Sequence, residues 1–428
     1  MNIINKDIYT VPDINPQAGQ VCLNGKDRNS CNKKYAMSDL SVAFIGCPGC
    51  GKTTQILKIV DELERNPEAV TVILDIKKEY VQKCFKSGDA VISLYDIPGV
   101  PKENQVKWSL MKEAILDTHP ESVLKEIAGM MFKDAVEHSE NKAFPKAAML
   151  VFYGQLVQIF KSHNGKLPFT SELIRRIETV SDAEIEASVK KYAELFAVSD
   201  LVSAKPNITS YGVRMELKTV LLDTFQIGSN FCGDNSKFSI RQFMHEGQGR
   251  KLFLVFDVEN RKSSESIVRL LLDLALKEAL AWDNINCGDM TRYNFVLDEY
   301  AYLPGGLEYM DFAKDMGRSK GVRIFSGFQT FSQLKKLYNG KTECAMNDIA
   351  GYGDVVVFRP HDAATAEMAV NRGGTEMSEV TTIDMLCNVH TECREVPVVM
   401  PEILNNLKCG EAVIFPDTGR PFWFKFDK

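Results

Sequence analysis

The sequence predicts an α/β fold: a central, mostly parallel sheet interrupted by an inserted all-α domain. Three observations carry this. A short apolar run, "LSVAFIG" (residues 40–46), leads straight into a glycine-rich loop and a helix with apolar residues at helical spacing. Further apolar runs of strand length, bounded by polar turns, alternate with helical segments towards both ends of the chain. From about residue 105 to about residue 230 the strand signal stops and nearly every segment reads as helix.

Taken in order, residues 1–38 are polar and lack periodicity, so they are expected to form an irregular N-terminal arm. Residues 40–46 form the first buried strand, and "KTTQILKIVDELER" the helix after it. "AVTVILDIKKE" (69–79) and "AVISLYD" (90–96) are the next strands. In the helical stretch, "ESVLKEIAGMMFKDAVEHS" and "DAEIEASVKKYAELFAV" are amphipathic, and "AAMLVFYGQLVQIF" (147–160) is more deeply buried. The alternation then returns with "KLFLVFD" (251–257), the helix "SESIVRLLLDLALKEALAW" (264–282), "RYNFVLDEY" (292–300), "GVRIFSGFQ" (321–329) and "DVVVFRP" (354–360). "EAVIFPDTGRPFWFKF" (411–426) reads as a closing hairpin around Asp417-Thr418-Gly419. The expected division is an irregular arm over 1–38, an α/β domain from 39–112 and 231–428, and an all-α insertion over 113–230. No internal repeat or low-complexity tract is visible.

Composition narrows the function. The 428 residues are 45% hydrophobic and 25% charged, ordinary for a globular chain, and the formal net charge of −6 gives no global attraction to nucleic acid. Any DNA contact must therefore use a local basic surface. The run 147–160 is shorter than the roughly 20 residues of a membrane span and is interrupted by Gln155 and Gln158. The N-terminus has no apolar signal-peptide core. These features predict a cytoplasmic protein, or one held at a membrane by partners. The 11 cysteines are scattered and odd in number, and Cys84 and Cys344 sit in apolar surroundings, which suits a reducing compartment.

The stretch "GCPGCGKTT" (46–54) carries two overlapping patterns. Cys47-Pro48-Gly49-Cys50 has redox or metal-ligand spacing, and Gly46 through Thr53 reads as a phosphate-binding loop. The loop follows a strand and opens a helix, the context a phosphate loop requires. Gly46, Gly49 and Gly51 let backbone N–H groups turn around phosphate oxygens, and the helix adds its positive end, with Cys50 and Thr54 completing the wall. Lys52 reaches the β- and γ-phosphates and the Thr53 hydroxyl holds Mg²⁺, so ATP and Mg²⁺ are the expected cofactors. No second C-x-x-C exists to complete a zinc site, and Cys47 and Cys50 fill free loop positions. A lowered thiol pKa at the helix start would still open Cys50 to oxidation.

A phosphate loop needs a metal-organising carboxylate and a water activator. "NFVLDEY" delivers both at a strand end: Asp298 for Mg²⁺ and Glu299 for the attacking water. Gln329, closing "RIFSGFQ", is placed to touch the γ-phosphate or the water. Arg318, in "MGRSKG", is expected in a defined loop ahead of that strand and is a candidate arginine finger.

In this order and spacing, "VAFIGCPGCGKTT", "VILDIKKE", "NFVLDEYAYLPG" and "DMGRSKGVRIFSGFQTFSQLKKLYN" resemble the conjugative coupling proteins of type IV secretion systems, within the FtsK/HerA class of hexameric DNA-translocating ATPases. The likeness covers roughly residues 40–112 and 240–428, with the helical insertion in the family's usual place. It implies a RecA-like P-loop motor domain, an all-α domain, assembly as a homo-hexamer, and ATP-driven movement of DNA or a relaxase–DNA complex. Lys52, Thr53, Asp298 and Glu299 take the nucleotide roles above. Gln329 matches the family's sensor glutamine, and Arg318 the arginine that reaches a neighbouring subunit's site. Partners implied are DNA, relaxase or relaxosome proteins, and secretion-channel or membrane-anchor proteins, at the inner face of a bacterial membrane. Two departures are expected: no transmembrane helices of its own, and no acidic tail beyond "WFKF" for recruiting substrates. Alternatives are a soluble HerA-like translocase in DNA processing or defence, and a nucleotide switch that scaffolds proteins. The set Glu299, Gln329 and Arg318 speaks against the switch.

Overall fold

The computed structural model describes residues 11, 20–162, 170–191, 208–225, 238–281, 292–303, 305–383 and 389–427. Its strands are β1 (Cys22–Lys26), β2 (Asn32–Ala36), β3 (Val42–Ile45), β4 (Val70–Asp75), β5 (Ala90–Ile92), β6 (Lys251–Val255), β7 (Tyr293–Leu297), β8 (Val322–Phe328), β9 (Asp354–Phe358), β10 (Thr375–Ile383), β11 (Val389–Pro397), β12 (Glu411–Phe415) and β13 (Phe422–Phe426). The chain clusters into two compact units, Met1–Leu74 with Leu280–Lys428, and Asp75–Ala279.

In the first unit the strands run β2-β1-β13-β12-β9-β3-β8-β7-β4. β9, β3, β8, β7 and β4 are parallel. Every residue of β3, β7, β8 and β9 is buried, as expected where both faces of a parallel sheet are covered. Beyond β9 the strands turn antiparallel, and β13 alternates buried and more exposed residues. Parallel order puts the carboxyl ends of β3, β7 and β8 on one edge, where ligands bind in such sheets.

The expected irregular arm is corrected here: residues 22–36 form the hairpin β1–β2, paired through β1 to β13. Polarity hid it, because β2 is an edge strand whose Lys33 and Lys34 are tolerated at a sheet border. Its turn is fixed by Asp27, whose carboxylate accepts from Cys31 N at 2.9 Å, with Ser30 in the left-handed region at φ 62°. Residues 1–10 and 12–19 of the expected arm lie outside the described residues. A second hairpin, β10–β11, was also not expected. The closing hairpin pairs Ala412 with Phe424.

The second unit holds the parallel pair β5–β6 and the helices Pro120–His138, Ala143–Ser162, Asp182–Lys191 and Ile208–Phe225. It is wider than the expected insertion over 113–230, because β5, β6 and the helix Arg261–Ala281 cluster with it. The helix Ala143–Ser162 has 20 residues, so in length and apolarity it is able to cross a membrane; 61% of its apolar window is buried within the fold. The two glutamines that interrupt it are used: Gln155 Nε2 donates to Ser188 Oγ at 2.9 Å, and Ser188 donates to Gln158 Oε1 at 2.5 Å. They fasten this helix to Asp182–Lys191. Residues 192–200 of the expected amphipathic helix lie outside the described residues.

Candidate nucleotide site

The loop 46–51 leaves β3 at the carboxyl edge and is held from both neighbouring strands. Gly46 N donates to Phe328 O of β8 at 3.2 Å, and Cys47 N donates to Arg359 O just beyond β9 at 3.0 Å. Gly49 (φ 73°) and Gly51 (φ 110°) adopt backbone angles that L side chains rarely reach, so the turn depends on them. A third support comes from the turn before β12, where Gly410 N donates to Cys50 O at 2.9 Å. The loop then opens the helix Lys52–Leu63, whose first-turn N–H groups and positive end favour an anion.

Lys52 is buried, and its Nζ donates to Gly46 O at 2.5 Å and Cys47 O at 3.2 Å. The ammonium is thus folded over the loop, where phosphate oxygens compete with backbone carbonyls for it. Thr53 Oγ1 donates to Asp298 Oδ2 at 2.8 Å, joining the start of the helix to the end of β7. These are two hard oxygen ligands side by side. That suits Mg²⁺, which is bound by one or two protein groups plus phosphate oxygens and water. Among the described residues no cluster of three or more His, Cys, Asp or Glu could cage a metal. Thr54 is exposed on the first turn.

β8 lies between β3 and β7, so residues at its end sit between the phosphate loop and Asp298. Close approach there requires glycine: a Cβ on Gly327 would stand 2.2 Å from Asp298 Oδ1. Glu299 is buried and sits in the left-handed region at φ 63°. A non-glycine residue held there is strained, as functional positions often are. Gln329 Nε2 donates to both Glu299 oxygens, at 3.0 and 2.8 Å. The structure therefore brings Lys52, Thr53, Asp298, Glu299 and Gln329 together at one edge.

Gln333 escaped the sequence reading. It accepts from Gln329 N at 3.2 Å through Oε1, and its Nε2 donates to Gln329 Oε1 at 3.4 Å. Thr330 caps the helix Phe331–Leu337, accepting from Gln333 N at 3.1 Å. The pattern Thr330-x-x-Gln333 is a capping-box spacing and was the available signal.

Arg318 is placed elsewhere. It lies in the last turn of the helix Met310–Lys320, which corrects the expected loop. Gly317 misled because it is helical: a Cβ there would meet Val322 O at 2.8 Å, so the glycine lets the helix pass close to β8. Gly321, at φ 67°, ends the helix. Arg318 is exposed and lines a cavity of about 750 Å³ with Asp39, Asp417 and Arg420. This is the amino end of β8, whose seven residues at about 3.3 Å each set it roughly 20 Å from Gln329.

Cys47 and Cys50 are buried in the loop wall. Burial pushes the Cys50 thiol up, and the Lys52 ammonium offsets this only in part. The expected lowering at the helix start is therefore corrected: the buried surroundings raise the Cys50 thiol instead.

The family described as the type IV secretion-system coupling protein DNA-binding domain matches residues 34–418, well over half of the sequence, and the chain belongs to this family. The conjugal transfer protein TraG of Agrobacterium fabrum (strain C58) is 23% identical over 192 residues, covering 42% of this chain and 28% of TraG. TraG of Rhizobium radiobacter is 23% identical over 189 residues, covering 41% of this chain and 29% of that protein. The chain thus spans less than a third of these relatives' length. Among solved structures, the unbound bacterial conjugative coupling protein TrwBdeltaN70 superposes with TM-score 0.72 at 18% identity, covering 92% of this chain and 86% of that one. Plasmid coupling protein TrwB in complex with ADP and Mg²⁺ gives 0.69 at 18% identity, with 90% and 85% covered. VirB4 of Thermoanaerobacter pseudethanolicus gives 0.56 at 13% identity, with 97% and 98% covered. The first unit has the RecA-like P-loop fold that these likenesses share.

Proposed function

We propose that this chain is an ATP-hydrolysing motor that couples DNA, or a relaxase–DNA complex, to a type IV secretion channel, and that it works as a homo-hexameric ring. The carrying observation is the joined pair of contacts at the sheet edge: Thr53 to Asp298, and Gln329 to both oxygens of Glu299. A nucleotide switch that only binds has no use for a buried carboxylate held at a strained backbone position beside the phosphate loop. Family membership supports the DNA and secretion assignment, and the TrwB complex with ADP and Mg²⁺ supports the ligands.

In this reading Lys52 and the loop N–H groups hold the β- and γ-phosphates. Thr53 and Asp298 hold Mg²⁺, which neutralises charge on the phosphate oxygens when bound. Glu299 takes a proton from the attacking water, and Gln329 fixes the carboxylate that does so. Arg318, at the far end of β8, serves a neighbour's site. Residues 39–112 and 231–428 form the motor, and the all-α segment 113–230 recognises a protein or DNA partner. Relaxosome and channel proteins are its partners at the inner face of a bacterial membrane.

The test is ATPase activity of the purified protein with and without single- and double-stranded DNA, with particle mass measured alongside. DNA-stimulated hydrolysis in hexamer-sized particles is expected. ATP binding without hydrolysis under any of these conditions would sink the motor reading.

A further inference from the structure

Three thiols gather at the phosphate loop, and the proposed hydrolysis uses none of their sulfur atoms. Cys47 and Cys50 are buried in the loop wall, and Cys409, in the turn before β12, is exposed. We infer that Cys50 and Cys409 form an oxidation site, at which a hydroperoxide joins them in a reversible disulfide that pulls the loop out of its phosphate-binding shape. The effect on ATP rests on the loop being a nucleotide site; formation of the bond does not.

The two residues are far apart in sequence and are brought together by backbone contacts. Gly410 N donates to Cys50 O at 2.9 Å, so the residue before Gly410 runs beside the loop. Cys409 Sγ donates to Gly49 O at 3.3 Å, and that carbonyl belongs to the peptide unit leading into Cys50. A Cβ on Gly51 would stand 3.6 Å from Gly410 N, so loop and turn are in van der Waals contact. Charge on Cys409 acts on the Cys50 thiol, as charge on Cys47 does. A swing of the exposed Cys409 side chain then brings the sulfurs to bonding distance, about 2 Å.

Cys409 reacts first, because it meets the oxidant in solvent while Cys50 is buried. With hydrogen peroxide, the Cys409 sulfur bonds to one oxygen as the O–O bond breaks, and the thiol proton leaves with the other oxygen as water. The product is a sulfenic acid. The Cys50 sulfur then attacks the Cys409 sulfur. The S–S bond forms, the S–O bond breaks, and the departing hydroxide takes the Cys50 proton as a second water. Two thiols have lost two electrons and the peroxide has gained them. A dithiol reductant reverses the bond by exchange. Protein disulfides in reducing compartments are mostly transient ones of this kind.

The bond reaches the nucleotide through the loop. Cys50 Sγ now lies on the inner side, 3.9 Å from Lys52 Nζ and 3.1 Å from where a Cβ on Gly46 would stand. Cys409 approaches from the side of Gly49 O. Joining the sulfurs draws the Cys50 side chain away from Lys52 and turns the residue between Gly49 and Gly51, the two left-handed positions on which the loop depends. N–H groups of that turn then miss the phosphate oxygens, and losing one such bond to a charged group weakens binding about tenfold or more.

The experiment treats the purified protein with hydrogen peroxide, maps cross-linked peptides by mass spectrometry and measures ATP affinity by calorimetry. Wild type, Cys409→Ser and Cys393→Ser are compared, reduced and oxidised. Oxidised wild type should yield a peptide joining Cys50 to Cys409, bind ATP about tenfold more weakly or worse, and recover in dithiothreitol. Cys409→Ser, at an exposed position, should bind ATP as reduced wild type does and keep that affinity after peroxide. Cys393→Ser removes another exposed thiol, on β11, and should respond as wild type does. A Cys47–Cys50 bond in place of Cys50–Cys409, equal loss of affinity in oxidised Cys409→Ser, or full ATP affinity in the cross-linked protein overturns the inference. Failure of the nucleotide reading looks different: reduced wild type binds no ATP, although the Cys50–Cys409 peptide still forms.

Discussion

At the residue scale the site depends on a few atoms whose replacement separates binding from chemistry. Lys52→Ala removes the ammonium over the loop and should weaken both ATP binding and hydrolysis. Glu299→Gln keeps the shape but removes the proposed proton acceptor, and its amide meets the Gln329 amide that in the wild type donates to both carboxylate oxygens. ATP should bind and persist, with hydrolysis lowered by about 10²–10⁴-fold, the usual contribution of a general base. Hydrolysis at the wild-type rate in Glu299→Gln would remove the water-activating role. Gly327→Ala forces a methyl against Asp298, and overpacking of this kind costs about 1–3 kcal/mol. The expected result is a lower melting temperature with Mg²⁺-dependent hydrolysis reduced more than ATP binding. An unaltered metal requirement together with full activity would show that Asp298 has room to move. Lys52, Thr53, Asp298, Glu299 and Gln329 were legible because each follows an apolar strand in a recognisable local pattern. Gln333 was not, because its role depends on Gln329 being in front of it.

At the scale of elements, parallel strands buried on both faces read clearly from continuous apolar runs such as "VAFI" and "VVVF". The hairpin β1–β2 did not, since its stabilising partner is the backbone of β13, almost the whole chain away in sequence. The helix Met310–Lys320 was likewise hidden by Gly317. Its anchorage is a buried ion pair: Lys314 Nζ meets Asp348 of the helix Thr342–Ala350 and lies 5.3 Å from the Tyr352 ring centroid. Burial pushes the Asp348 carboxyl up, and Lys314 only partly offsets this, so the pair exists at the expense of desolvation. Lys314→Met leaves that carboxyl without its cation, with only Tyr338 still hydrogen-bonded to it, and should destabilise by about 3–5 kcal/mol. Lys314→Met combined with Asp348→Leu removes both charges and should recover much of the loss. Thermal unfolding of the single and double variants measures this, and a double variant less stable than the single one would contradict the account.

At the scale of the whole molecule, the position of Arg318 decides how the site is completed. Its guanidinium is at the amino end of β8, about a strand length from the phosphate loop of its own chain. Charge developing on the γ-phosphoryl oxygens is stabilised by a guanidinium, and such fingers are worth about 10³–10⁵ in rate. If Arg318 acts on a neighbour's site as proposed, a single chain lacks part of the machinery, and hydrolysis per chain should rise with protein concentration, more so on DNA. Arg318→Ala should lose hydrolysis while keeping nucleotide affinity, because the loop, Thr53 and Asp298 are untouched. Mixing distinguishes a finger from a residue acting within its own chain. Arg318→Ala chains retain a good phosphate loop, and Lys52→Ala chains retain a good Arg318. In mixed rings some interfaces combine the two intact halves, so two inactive proteins should recover part of the activity. If mixed rings form, by mass, and activity stays at the level of the separate variants, Arg318 does not act across the subunit border.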